Sequence, residues 1–188
     1  MKRIRDFNLV QSLSDDQMGH EARAQVDDHI DLKIWLRLLT CSTQIEQQVR
    51  SHLRTRFGTT LPRFDYLAQL ERHPNGLRMN LLSRYLMVSG GNVTGLTDQL
   101  VEEGLVSRTD DPEDRRSYLV VLTRKGRSEF AVMAAEHEGW LADMFRGLPK
   151  SNKDVLYEHL GHLRVHLARR EGEAEYSESQ VTTRGLGK

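Results

Sequence analysis

Between residues 90 and 123 the chain reads GGNVTGLTDQLVEEGLVSRTDDPEDRRSYLVVLT, and its pattern changes halfway. At first, apolar side chains recur at helical spacing, Val93, Leu96, Leu100 and Val101, and Gly104 is a natural C-terminal stop. Beyond Gly104, short runs rich in strand formers, LVSRT and SYLVVLT, flank DDPEDRR, where Asp-Pro favours a turn. Just upstream, LLSRYLMVSGG reads as a short helix carrying Leu82, Tyr85 and Leu86, closed by Ser89, Gly90 and Gly91. Two short helices across a glycine-containing turn, followed at once by a hairpin, predict a winged helix-turn-helix. The fold class expected is mainly α with a small β-hairpin wing.

Longer helices flank this unit. From 31 to 56, Ile34, Leu38, Ile45, Val49 and Leu53 form an apolar stripe without an interior breaker. At about 1.5 Å per residue this helix approaches 40 Å, longer than a small lobe needs, so a portion of it is expected to pack on a second subunit. Thr59 and Thr60 precede LPRFDYLAQLERH, where Pro62 suits a first helical turn. Thr123 is placed to cap a helix over 124–148, and Ser151 with Asp154 forms a capping-box pattern for a last helix. The expected organisation is a partly helical extension over 1–30 and a core of 31–170 in which helices over 31–57 and 124–170 dimerise around a lobe at 60–123. The tail, 171–188, buries little and is expected to be disordered.

Bulk composition excludes several classes. No apolar run approaches the roughly 18 residues of a membrane helix, the N-terminus MKRIRDFNLVQSLSDD lacks a secretory pattern, and the single Cys41 cannot build a disulfide framework. A soluble protein of a reducing cytoplasm is expected. Catalysis finds no support: there is no Gly-rich phosphate loop, no HExxH pair and no nucleophile beside a recognisable base. The net charge is +0, but residues 31–63 hold six basic side chains (Lys33, Arg37, Arg50, Arg54, Arg56, Arg63) against two acidic ones, Asp31 and Glu46. Such a surplus could receive phosphates, flank DNA, or be plainly solvated.

The ordered series LPRFDYLAQL, LLSRYLMVSGGNVTGLTDQLVEEGLVSR and DPEDRRSYLVVLTRKG resembles the MarR family of bacterial winged-helix transcription regulators over residues 31–169. The resemblance implies a two-fold dimer reading pseudo-palindromic operator DNA. The helix beginning near Asn92 would enter the major groove, with Asn92, Thr94 and Gln99 at base edges and Ser89, Gly90 and Gly91 letting the backbone approach phosphates. Asp98 shares that face, and Arg84 on the preceding helix is a candidate backbone contact. Asn92 and Thr94 could equally cap the helix, and Asp98 could form a structural ion pair. In the charged turn, Arg115 or Arg116 would enter the minor groove, whose negative potential attracts guanidinium, while the acids hold the loop in shape. Without the adjoining helix-turn-helix, an ordinary solvated charge run would be the better account.

The family also implies a small-molecule effector bound between the dimerisation helices and the lobe, and no cofactor. Trp35, Arg37, Arg63, Phe64 and Tyr66 are the residues expected to line that cleft, although Trp35 and Phe64 are of types that usually build core. The stretch RYLMVSGGNVTGLTDQL is most similar to regulators of aromatic-acid and hydroxycinnamate breakdown, some of which answer to an acyl-coenzyme A. A repressor of an aromatic-compound catabolic operon, released by an aromatic acid or its thioester, follows from that likeness. Two other switches occur among relatives. Cys41 lies mid-helix among apolar neighbours without a resolving partner, which favours a buried inert thiol. His159, His162 and His166 lack the carboxylate and thiol company of a tetrahedral metal site, so no metal is expected. A winged helix that binds protein instead of DNA is the remaining rival.

Overall fold

The computed structural model describes residues 13–23, 29–87, 89–112 and 117–185. They fall into two compact units, Met1–Leu141 and Ala142–Lys188. The first opens with α1, Asp15–Met18, and a 3-10 turn, Gly19–Arg23. Both lie along α2, Ile30–Phe57, where Gln44 Nε2 donates to Gln17 O at 3.3 Å and Arg37 pairs with Glu21. The long helix predicted over 31–56 is present; of its predicted stripe Val49 and Leu53 are buried, Leu38 and Ile45 are half-buried and Ile34 is exposed, while Leu36, beside the stripe, is buried. Gly58 closes it in the left-handed region, with its N–H on Arg54 O at 3.1 Å.

The lobe follows as α3, Leu61–Arg72, β1, Leu77–Arg78, α4, Met79–Leu86, α5, Gly90–Glu102, β2, Val106–Asp110, β3, Tyr118–Leu122, and then α6, Arg124–Met144. Helices α3, α4 and α5 pack on one another around Leu67, Leu70, Leu82, Val93 and Leu100, all essentially without solvent exposure. The hairpin β2–β3 pairs from Val106 against Leu122 to Asp110 against Tyr118. At its base, Gly126 N donates to Thr123 Oγ1 at 3.0 Å, which is the cap expected for α6. A Cβ on Gly126 would stand 2.0 Å from the carbonyl oxygen of Leu105, so this crossing of helix start and strand admits only glycine.

Four details differ from the sequence expectations. The wing is a three-stranded antiparallel sheet ordered β1-β3-β2, because Leu77 and Arg78 pair with the otherwise open edge of β3. Gly90 and Gly91 do not close α4 but form the first residues of α5. Met87, at φ 52°, ends α4 in the left-handed region and makes glycine unnecessary there. The last helix, α7, is Lys150–Gly185. Ser151 is thus inside its first turn, the N–H groups of Asn152 and Lys153 turn back to Pro149 O, and Asp154 instead accepts from Lys150 Nζ at 3.1 Å. The backbone also stays helical well beyond residue 170, where disorder was expected. The added stretch, EGEAEYSESQVTTRG, holds glutamates and alanine and no proline, and the helical backbone propagates through it.

Candidate nucleic-acid interface

Helix α5 buries Val93, Thr97 and Leu100, which turns Asn92, Thr94, Asp98 and Gln99 to solvent as predicted, with Gly95 exposed beside them. The buried Thr97 was not foreseen. Its hydroxyl donates to Val93 O at 2.7 Å and meets Tyr66 Oη at 2.6 Å, fastening α5 to α3. On the exposed face, Thr94 Oγ1 donates to Gly90 O at 3.0 Å, and Ser89 precedes the helix as N-cap without a side-chain capping bond. The side-chain amides of Asn92 and Gln99 make no hydrogen bond among the described residues, and Arg84, exposed on α4, makes no ion pair there. Asp98 is engaged: it pairs with Arg108 of β2, the structural ion pair that the sequence left open. The helix therefore presents two unsatisfied amides, each able to donate and accept, which is the chemistry that base edges require.

Arg115 and Arg116 lie outside the described residues, as does Asp114. The ends of the turn that carries them are joined by Asp111, which is 3% exposed. Its carboxylate accepts from Arg78 Nε of β1 and from Ser117 Oγ at 3.2 Å, while its N–H donates to Ser117 O at 3.2 Å. A carboxylate buried this far must be paired, and here one acid of DDPEDRR gathers β1 and both ends of the hairpin. Sequence reasoning anticipated an acid holding the loop but not its partner Arg78, 33 residues away.

The five residues expected to line an effector cleft do not converge. Phe64 and Tyr66 are core, Phe64 against Phe130 and His137 with ring centroids 5.4 and 4.7 Å apart, and Tyr66 against Thr97. Helix α3 is covered on opposite sides by α6 and α5, so positions about 200° apart on its wheel are both enclosed. Burial raises the Tyr66 phenol pKa above its ordinary value, with the Thr97 hydrogen bond opposing, so it stays a neutral hydroxyl. Trp35 is 57% exposed on the first half of α2, and Arg37 is held by Glu21. Arg63 does open on a groove of about 750 Å³ with Phe57, Leu67, Leu96, Leu105 and Met133, and there it pairs with Glu103 at the end of α5.

Nor does the basic surplus of residues 31–63 stand free. Arg37, Arg50, Arg56 and Arg63 pair with Glu21, Glu46, Glu136 and Glu103, three of which come from outside that segment. Cys41 is exposed, not buried as expected, because α2 turns that position away from the stripe of Leu36, Val49 and Leu53. Local desolvation and then Glu21 raise its thiol pKa, with Arg37 opposing, and a redox-sensing thiolate requires the reverse. Among the described residues no group of three or more His, Cys, Asp or Glu is placed to hold a metal ion, and no helix is long and apolar enough to cross a membrane.

The family profile described as MarR family matches residues 57–117, the span from the end of α2 to the start of β3. Over 125 residues the chain is 34% identical to the transcriptional activatory protein BadR of Rhodopseudomonas palustris, covering 62% of this chain and 71% of that one. The crystal structure of a MarR family transcriptional regulator from Silicibacter pomeroyi superposes with a TM-score of 0.62 at 28% identity, covering 78% of this chain and 99% of the other. CouR of Rhodococcus jostii RHA1, solved bound to p-coumaroyl-CoA, shares the fold at a TM-score of 0.61 and 24% identity, over 75% of this chain and 94% of CouR. With α5 set beside a wing pinned at Asp111, and with BadR and the Silicibacter pomeroyi protein named as transcription regulators, the chain belongs to the MarR family of transcription regulators.

Proposed function

We propose that the protein is a ligand-responsive, DNA-binding homodimer. Helix α5 enters the major groove, and Arg115 or Arg116 of the wing enters the flanking minor groove. The observation that carries this is the outward pair of unsatisfied amides, Asn92 and Gln99, on a helix locked to α3 from inside and to β2 by Asp98–Arg108. Ser89, Gly90, Gly91 and Thr94 bring the backbone to phosphates, and Arg84 adds a contact beside them. In a two-fold dimer the two α5 helices meet half-sites about 34–36 Å apart.

The effector is an aromatic acid or its acyl-CoA thioester. The likeness to BadR and to CouR with its p-coumaroyl-CoA supports the class. The groove beside Arg63 offers apolar walls and one largely covered guanidinium, for which an acidic ligand would compete with Glu103. Because Glu103 ends α5, that exchange would free the reading helix at its C-terminus. Repression of an aromatic-compound catabolic operon, relieved by the ligand, follows; the name of BadR, a transcriptional activatory protein, favours a second reading as an activator.

The test is a mobility shift on DNA flanking the gene, with Arg115→Ala and Arg116→Ala. Each variant weakens binding, the groove-inserted arginine by about 1–3 kcal/mol, with thermal stability retained. Full affinity in the double variant would remove the wing from the mechanism. Repeating the titration with p-coumarate or its CoA thioester should lower DNA affinity if the ligand relieves repression, transcription in vitro from the same DNA separates repressor from activator, and no change with any such ligand overturns the effector class.

A further inference from the structure

A second groove, of about 600 Å³, meets the Arg63 groove at Leu96 and Gln99, which line both. Leu61, Leu86 and Leu96 give it apolar walls, and Asn92 and Gln99 of the reading helix face into it. Three charged side chains line it: Glu46, Arg50 and Asp65. The first two cancel, since Glu46 accepts from Arg50 Nε at 2.9 Å and also from its Nη2. Asp65 is half-buried and makes no hydrogen bond or ion pair among the described residues. Burial is the largest influence on its carboxyl and raises its pKa, with His137 and Arg50 opposing. Burial in turn lowers the pKa of the His137 imidazole, with Asp65 opposing. With Arg50 engaged by Glu46, the three charged side chains leave one net negative charge, on a carboxylate without a hydrogen bond among the described residues, against apolar walls. That is the reverse of its neighbour, whose covered charged group is a guanidinium.

We infer that this groove binds a small organic cation, an apolar ring or short chain bearing an ammonium or amidinium group, with Asp65 as its counter-ion, and that the bound cation competes with DNA at Asn92 and Gln99. A cation there replaces the hydration that burial has taken from the carboxylate, and its apolar body covers Leu61, Leu86 and Leu96. This site stands apart from the anionic effector: it uses a different residue of α3, the opposite charge and a different wall, and either can exist without the other.

The experiment titrates the full-length protein with 2-phenylethylamine and with its size-matched anion 3-phenylpropanoate, following side-chain amide resonances of Asn92 and Gln99 by NMR. Phenylethylamine is expected to move both amides and to weaken operator binding. Asp65→Asn should weaken its binding by about tenfold, the worth of one charge-assisted contact, whereas Arg63→Ala leaves it unchanged. Unmoved amides in the wild-type protein, equal binding by the Asp65→Asn variant, or preference for the anion would each overturn the inference. The wild-type amide shifts decide the matter even if the substitution of Asp65 compromises folding.

Discussion

The two hydroxyls of Tyr66 and Thr97 are both fully buried, yet they are not equally dispensable. Since Thr97 donates its proton to Val93 O, the Tyr66 hydroxyl must donate to Thr97 Oγ1. Tyr66→Phe removes the outer donor and leaves Thr97 bonded, at roughly 0.5–1.5 kcal/mol. Thr97→Val keeps the shape but strands a buried phenol, at about 1–3 kcal/mol. The double variant leaves no orphan, so it should be more stable than Thr97→Val alone. Urea unfolding of the four proteins measures this cycle, and strictly additive losses would show that the pair does not couple α3 to α5.

At the level of elements, the reading helix carries three glycines that its own packing does not ask for. Beyond the backbone of the helix itself and the adjoining residues, no atom lies within 4 Å of where a Cβ would stand on Gly90, Gly91 or Gly95, and none has a positive φ. Glycine inside a helix is worse than alanine by roughly 0.5–1 kcal/mol, so Gly95→Ala should raise the melting temperature. If this face lies against DNA, the same methyl group should lower operator affinity. A stabilised variant with unchanged DNA affinity would place the DNA surface elsewhere. Much at this scale was legible in the sequence, because the stripes of α2 and α5 and the Asp-Pro turn are local signals. What escaped was decided at a distance. Leu77 and Arg78 are a strand only because β3 has an edge to fill. Ser-Gly-Gly looked like a turn because nothing nearby announced that Met87 would make it. The grooves were missed for the same reason. Arg63 meets Glu103, 40 residues on, and Asp65 matters because it makes no hydrogen bond or ion pair among the described residues, neither of which periodicity can express.

For the whole molecule the decisive quantity is apolar surface that the single chain leaves uncovered. On α7, Leu156, Leu160 and Leu167 are all exposed at positions that share one helical face, and at the start of α2 so are Ile30, Ile34 and Trp35. Burying a leucine is worth about 1.5–3 kcal/mol, so seams of this kind in a charged, water-facing chain call for a partner surface. The dimer proposed above supplies one, and sedimentation should give twice the 21.7 kDa of the chain. Introducing Leu160→Glu with Leu167→Glu sets like charges against each other across a two-fold seam and should yield monomers whose lobe still unfolds cooperatively. Because one lobe holds only one half-site, operator affinity should fall by on the order of a hundredfold or more. The slope of log affinity against log salt should drop to about half, as half the phosphate contacts are lost. A variant that stays dimeric would move the interface off α7. A monomer with the full salt slope would mean that a single lobe carries every phosphate contact, and the two-half-site arrangement would have to be abandoned.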